Sequence, residues 1–378
     1  MPASGRRVSA MFSLILKGVG SFLHFYVGLR AAAAVPVQGY RLLAWLGLVV
    51  LVWLAYMTGL ERRHGAAGGV AWLLGQFSLN WLAIMFMAAM CLLAVDLCTG
   101  FGLWLRRWSL LLRRAAIGAA AVLVTCAFYQ GLRAPVVTAY EVRVAGLSQS
   151  LDGTLIAVLT DLHLGNQRGN DWMEARVEQV RALNPDLVVM VGDQVDSEMA
   201  EPEALGVVLR RLESPLGVWA VTGNHDFHGD LGENIKHFEA GGVKWLRDEV
   251  TMLAPGLYLA GIDDLGRAMR RGDGTAEAKV ADVLRQAPSD AATIFLSHTP
   301  TAVEQAAESG AALMLSGHTH GGQIWPFGYL VQRVFPRMIG THQIEDMTLI
   351  VSRGAGSWGP RMRLWHPGEI LAVSLLAE

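Results

Sequence analysis

Cysteine is scarce and confined. All three, Cys91, Cys98 and Cys126, lie in the first 126 of 378 residues. Three thiols make no intramolecular disulfide framework, and the rest of the chain has no thiol for redox chemistry or a Cys–zinc site. Acidic residues are nearly absent from the same region. Residues 1–133 hold Glu61 and Asp96 out of 33 acids, against 12 of the 31 Lys and Arg. Charged residues make up only 17% of the chain and hydrophobic ones 52%, where an ordinary globular chain has about 25% charged residues. This excludes a disordered or collagen-like chain and a uniformly soluble one. The remainder carries 31 acids and 19 bases, so the net charge of −2 is a sum of two opposed regions. An acidic balance there disfavours contact with a nucleic-acid backbone, and no nucleic-acid partner is expected.

What the basic region does have is long apolar runs. Residues 42–60, 71–97 and 115–132 each suffice to cross a ~30 Å hydrocarbon layer, which takes about 20 helical residues. A fourth run, 10–29, is interrupted by Lys17 and His24. The sequence predicts a helical bundle of about four spans over 1–133, in contact with the lipid bilayer. Arg106-Arg107-Trp108-Ser109-Leu110-Leu111, ahead of an Ala-rich apolar run, is similar to a twin-arginine signal or signal anchor. It implies a multi-pass inner-membrane protein whose second half is extracytoplasmic. Asp96, beside Cys98-Thr99-Gly100, reads as an interfacial, solvated carboxylate rather than a functional group inside the membrane.

Residues 134–149 read as a linker or first strand, and 150–378 as one α/β domain. Short apolar runs at 154–160, 186–191, 217–221, 257–262, 292–297, 312–316, 347–352 and 369–375 alternate with amphipathic stretches near 170–183, 201–211, 275–286 and 301–308. Such alternation predicts a layered α/β domain. Polar residues collect where the runs end. Asp161 and His163 follow the first, and Gly192-Asp193-Gln194-Val195-Asp196 the second. Gly223-Asn224-His225-Asp226 follows the third, His298 a later one, and Gly317-His318-Thr319-His320 the next. Ligands of open α/β sheets gather at strand carboxyl ends. Singly, Asp-x-His is an ordinary loop, GDxxD a turn with a helix cap, and GHTH at most one zinc site. All five in order behind strands point to a shared centre. Oxygen and imidazole donors without sulfur suit manganese, iron or zinc. Their number exceeds what one ion needs, and a pair ~3.5–4 Å apart serves phosphoryl displacement.

This series resembles the calcineurin-like metallophosphoesterase family over roughly 150–378. Gly317-His-Thr-His-Gly-Gly-Gln323, with Gly354-Ala-Gly356 and Arg361, is similar to its bacterial membrane-associated branch, which includes phosphodiesterases and a UDP-2,3-diacylglucosamine pyrophosphatase. The resemblance implies a layered α/β/β/α fold and two divalent ions, manganese first, with iron, zinc or magnesium as alternatives. By the same resemblance, Asp161, His163 and His320 hold one ion. Asn224, His298 and His318 hold the other, and Asp193 bridges both. His225 is implied as the general acid, Asp226 as the group orienting its ring, and Asp196 as a support behind the ligands. Thr160 stands where the family has Ser.

The expected function is a membrane-anchored, dinuclear-metal-dependent phosphoesterase. It would hydrolyse a phosphodiester or pyrophosphate bond by metal-activated hydroxide, on a lipid-linked or membrane-proximal substrate. The alternative is a non-catalytic membrane sensor or scaffold with a structural metal site. Residues 324–338 are strongly apolar and read either as core packing or as a membrane-facing loop that receives a lipid tail.

Overall fold

The computed structural model describes residues 3–34, 38–62, 69–196, 199, 201–272 and 274–378. They form two compact units, Met1–Leu132 with Gly359–Met362, and Arg133–Trp358 with Arg363–Glu378.

The first unit consists of α1 (Ala3–Ala34), α2 (Tyr40–Arg62), α3 (Gly69–Cys98) and α4 (Arg106–Leu132). Among the described residues, three helices, α2, α3 and α4, are long and apolar enough to cross a membrane. The expected count of about four is therefore corrected to three. α1 is long enough, but its polar residues lower its apolar character. Lys17 pairs with Glu61 at 2.8 Å, and His24 joins the Val49 carbonyl at 2.8 Å to the Trp81 indole at 3.0 Å. Asp96 also departs from expectation, because it is fully buried. Its carboxylate accepts from the Tyr26 hydroxyl at 2.8 Å and pairs with Arg30 at 2.6 Å and Arg113 at 3.1 Å. A charge removed from water needs such partners, and α1 and α4 each supply an arginine.

In the second unit, the chain runs β1 (Val136–Val144), β2 (Leu155–Leu159), α5 (Asn170–Arg181), β3 (Leu187–Val191), α6 (Pro202–Leu209), β4 (Val218–Val221), α7 (Leu231–Glu239) and β5 (Val243–Trp245). It continues with β6 (Glu249–Ala254), β7 (Leu257–Gly261), α8 (Leu265–Arg271), α9 (Ala276–Leu284), β8 (Ala292–Leu296), α10 (Val303–Glu308) and β9 (Leu313–Ser316). α11 (Gly328–Val334), β10 (Gly340–Ile344), β11 (Met347–Val351) and β12 (Glu369–Ala377) follow. Two six-stranded sheets result, in the orders β1-β12-β2-β3-β4-β5 and β10-β11-β9-β8-β7-β6.

Strand periodicity builds the layers. Successive side chains point to opposite faces, so Leu187, Val189 and Val191 of β3 enter the core between the sheets with Ile294 and Leu296 of β8. Val188 and Met190 face the other way, onto Val177 of α5, Leu205 of α6 and Phe238 of α7. The second sheet does the same, with Phe295 and Met314 against Val280 of α9 and Val303 of α10. Strands buried on both faces read as continuous apolar runs, and the order of layers is α/β/β/α. β2, β3 and β4 are parallel neighbours, as are β7, β8 and β9. Within each sheet, the loops that follow these strands therefore leave from the same edge.

Candidate functional site

The loops after β2 and β3 are stitched together by the backbone. Asp161 N–H donates to the Gly192 carbonyl at 3.1 Å, His163 N–H to Asp193 at 3.0 Å and Leu164 N–H to Gln194 at 2.9 Å. Five of the proposed ligands sit in the left-handed region, Asp161, His163, Asp193, His318 and His320, with φ between 48° and 71°. A non-glycine residue held there costs about 1–3 kcal/mol and such strain gathers at functional sites. Glycine is required where the backbone passes close behind a carboxylate. A Cβ on Gly354, at φ +77°, would stand 2.6 Å from the Asp161 Cβ, and one on Gly223 would stand 2.3 Å from Asp193 Oδ1.

Two groups of donors converge. Asp161, His163 and His320 offer ligand atoms within 4.8 Å of one another, and so do Asp193, His298 and His318. His320 Nε2 lies 3.4 Å from Asp161 Oδ1 and 3.1 Å from His163 Nε2. His298 Nε2 lies 3.2 Å from Asp193 Oδ2 and 3.3 Å from His318 Nδ1. His163 Nε2 is 3.8 Å from Asp193 Oδ2, which links the groups. Among these donors, two buried polar atoms of the described residues, Asn224 Oδ1 and His163 Nδ1, have no hydrogen-bond partner. An unpartnered buried acceptor is costly, and oxygen and imidazole donors of this set are those a divalent cation takes. The residues present therefore fit a pair of such ions.

Electrostatics divide the imidazoles: burial lowers the His298 pKa, but Asp193 outweighs it and raises it to about 10. Burial drives His163 down to about 3 and His320 well below its ordinary value, so both are neutral imidazoles with a lone pair to offer. Burial also raises Asp161 to about 6. For Asp193, burial pulls upward, but the surrounding imidazoles, His298 first, hold its carboxyl well below the usual range. The Thr160 hydroxyl lies 2.8 Å from Asp161 Oδ2 and 2.7 Å from the Val191 carbonyl.

The partner of the His225 ring differs from expectation. His225 Nδ1 lies 2.5 Å from Asp196 Oδ1, so Asp196, and not Asp226, orients the ring. Asp226 is buried and occupied by backbone. It accepts from Gln194 and Val195 N–H at 2.8 and 2.9 Å and from Gly223 N–H at 2.8 Å, which ties the β3 and β4 loops to each other. Burial lowers the His225 pKa, but Asp193 and Asp196 outweigh it and hold the imidazole at about 9.

Two residues escaped the sequence reading. Arg363 is buried with 2% exposure, donates to the Gly356 and Arg353 carbonyls at 2.6 and 2.7 Å, and lies 3.3 Å from His320 Nδ1. Arg361, which the sequence singled out, groups instead with the first unit. His228 stacks edge-on to His225 at 4.5 Å and shares a donor group with it and Asp196. The apolar stretch after the last histidine is largely exposed. Trp325, Phe327, Tyr329, Leu330 and Val334 are 45–70% accessible, while Ile324 is buried. The Phe335 ring lies 5.2 Å from that of His318.

A family model described as calcineurin-like phosphoesterase matches residues 154–322. A zebrafish (Danio rerio) transmembrane protein with a metallophosphoesterase domain is 32% identical over 265 residues, covering 68% of this chain and 60% of the relative. The chain thus spans about three-fifths of the length of that relative. An uncharacterized metallophosphoesterase from Aquifex aeolicus is 33% identical over 232 residues, which is 59% of this chain and 86% of the relative. The crystal structure of a dimetal phosphatase from Danio rerio aligns at 14% identity over 54% of this chain and 88% of that one. The TM-score of that alignment is 0.37. From the matched motifs and the Aquifex relative together, the chain belongs to the calcineurin-like metallophosphoesterase family.

Proposed function

We propose that the chain is a membrane-anchored phosphoesterase that hydrolyses a phosphodiester or pyrophosphate bond with two divalent cations. The observation that carries this is the unpartnered Asn224 Oδ1 and His163 Nδ1 set among two converging donor groups. Asp161, His163 and His320 would hold one cation, Asn224, His298 and His318 the other, and Asp193 both. Manganese is the first candidate, and iron, zinc or magnesium accept the same donors. Such cations lower the pKa of bound water and offset phosphate charge.

The chain's own residues supply the rest. Asp196 fixes His225 through Nδ1, which leaves Nε2 to protonate the departing oxygen as its bond to phosphorus breaks. A purely structural metal site has no use for an oriented imidazolium, so the His225–Asp196 pair favours an enzyme over a scaffold. Asp226 keeps the two loops in register.

The substrate is membrane-proximal or lipid-linked in this reading. Exposed apolar surface of this extent marks an interaction surface, and the aromatic side chains of Trp325, Phe327 and Tyr329 suit a lipid boundary. Arg106, Arg107, Arg113 and Arg114 precede the apolar part of α4, whereas Arg133 alone directly follows it. Positive charge marks the cytoplasmic end of a span, which puts the catalytic unit outside the inner membrane.

The test is an assay of the detergent-purified chain, stripped of metal and reloaded with manganese. Bis-p-nitrophenyl phosphate and UDP-2,3-diacylglucosamine serve as substrates, with His225→Ala as control. Manganese-dependent cleavage lost in the variant supports the reading. Cleavage of the lipid nucleotide would relocate the site to the cytoplasm, and equal turnover by the variant would remove His225 from the chemistry.

A further inference from the structure

A cavity of about 490 Å³ is lined by the chain that directly follows the proposed acid, from Phe227 on, and nothing in the hydrolysis outlined above uses it. Phe227 forms one wall, and Arg247, Arg267, Arg271, Asp230 and the start of α7 form the others. Consecutive Cα atoms are 3.8 Å apart, so the Cα of Phe227, a wall of the cavity, lies within about 8 Å of that of His225. The Arg267 guanidinium lies over the Phe227 ring, 4.0 Å from its centroid. Arg247 is gripped by both oxygens of Asp263, at 3.0 and 2.7 Å. Asp263 in turn accepts from the Thr222 hydroxyl at 2.9 Å, and Thr222 directly precedes Gly223-Asn224-His225. Two of the three guanidinium groups are thus positioned against the loop that carries the acid.

Asp263 offsets the charge of Arg247, and the cavity keeps a positive balance through Arg267 and Arg271. Three arginines line it against one carboxylate, Asp230, whose Oδ1 accepts from Glu233 N–H at 3.2 Å as the cap of α7. The first N–H groups of that nine-residue helix add a positive dipole end. Guanidinium groups bind phosphate through paired hydrogen bonds.

We propose that this cavity receives the leaving group, and that the leaving group carries a phosphate monoester of its own. The proposal rests on the reading of His225 as the acid, because the departing oxygen must lie beside that ring. In the reaction, the water oxygen adds to phosphorus and the bond from phosphorus to the phosphorylated alcohol breaks. His225 gives its proton to the alcohol oxygen, and the proton released from water restores the imidazolium. The products are a phosphate monoester and a phosphorylated alcohol.

The test uses the full chain in detergent, loaded with manganese, and two soluble diesters followed by phosphorus NMR. One is glycerophosphoglycerol, the other the same diester with a phosphate on one terminal hydroxyl, and bis-p-nitrophenyl phosphate is the reference. The phosphorylated diester should show a kcat/KM at least tenfold higher. Arg271→Ala, at the exposed end of α8, and Arg267→Ala should each lower that ratio at least threefold, and Arg271→Lys should retain part of it. Failure to cleave even the reference overturns the phosphoesterase reading and the subsite with it. Cleavage of the reference with no preference for the phosphorylated diester, or a preference unmoved by Arg271→Ala and Arg267→Ala, overturns the subsite alone.

Discussion

Buried carboxylates serve opposite ends in the two units. Asp96, among the helices, is closed off by Arg30, Arg113 and Tyr26. Asp161 and Asp193, equally buried, sit among imidazoles and backbone N–H groups, with an acceptor on Asn224 left over. In the first case the cations come from the chain and the group is structural. In the second, an acceptor is left without a partner, and ions from outside would complete the arrangement. Burial alone therefore does not mark a functional carboxylate, whereas the chemistry of its partners does.

This contrast can be broken experimentally. The largest effect is expected from Asp193→Ala, which removes the carboxylate shared by both donor groups. Turnover should vanish together with bound metal, measured by mass spectrometry, and wild-type metal content in the variant would contradict the shared role. His225→Ala should keep its metal and lose kcat by about 10²–10⁴-fold, the usual contribution of a positioned acid. Asp96→Asn should do the converse. Metal content stays intact, while Arg30 and Arg113 lose their counter-charge at a stability cost of about 3–5 kcal/mol, read from unfolding in detergent.

Smaller effects separate the two aspartates near the acid. Asp196→Asn should lower kcat about 10- to 100-fold, as loss of an orienting partner does. Asp226→Asn should instead lower stability by about 1–3 kcal/mol through unsatisfied backbone donors. Equal kinetic loss in both would return the orienting role to Asp226. In the metal-free protein, His225 should titrate near pH 9, because its folded pKa is raised. The imidazolium persists below that pH and is lost above it, and histidine NMR should show the midpoint falling in Asp196→Asn.

Much of the catalytic unit was legible because its central strands are buried on both faces. Leu187–Val191 and Ala292–Leu296 announce themselves as unbroken apolar runs. β5 has three residues and β6 is partly exposed, with a break in pairing between Met252 and Ala254, so neither carries a periodic signal. The residues of the two converging donor groups were legible from their positions behind strands. The choice between Asp196 and Asp226 was not, since both lie in motifs next to His225 and only the loop conformation decides which reaches the ring. Arg363 gave no signal either, lying between the buried Met362 and Leu364 in a segment with no regular period. Asp96 was misread because the arginines that enclose it come from α1, distant in sequence, and from α4.

The position of β12 in the first sheet bears on how the protein is made. It lies between β1 and β2, pairing Val136 with Glu369 and Val158 with Leu371. β2, whose end carries Asp161, therefore waits for a strand roughly 200 residues further on, about 10–40 s at ordinary rates of translation. Until then, one side of β2 is an unpaired edge, open to association with another chain. Slowed synthesis or crowding of nascent chains should endanger this protein at that edge before it endangers the membrane helices.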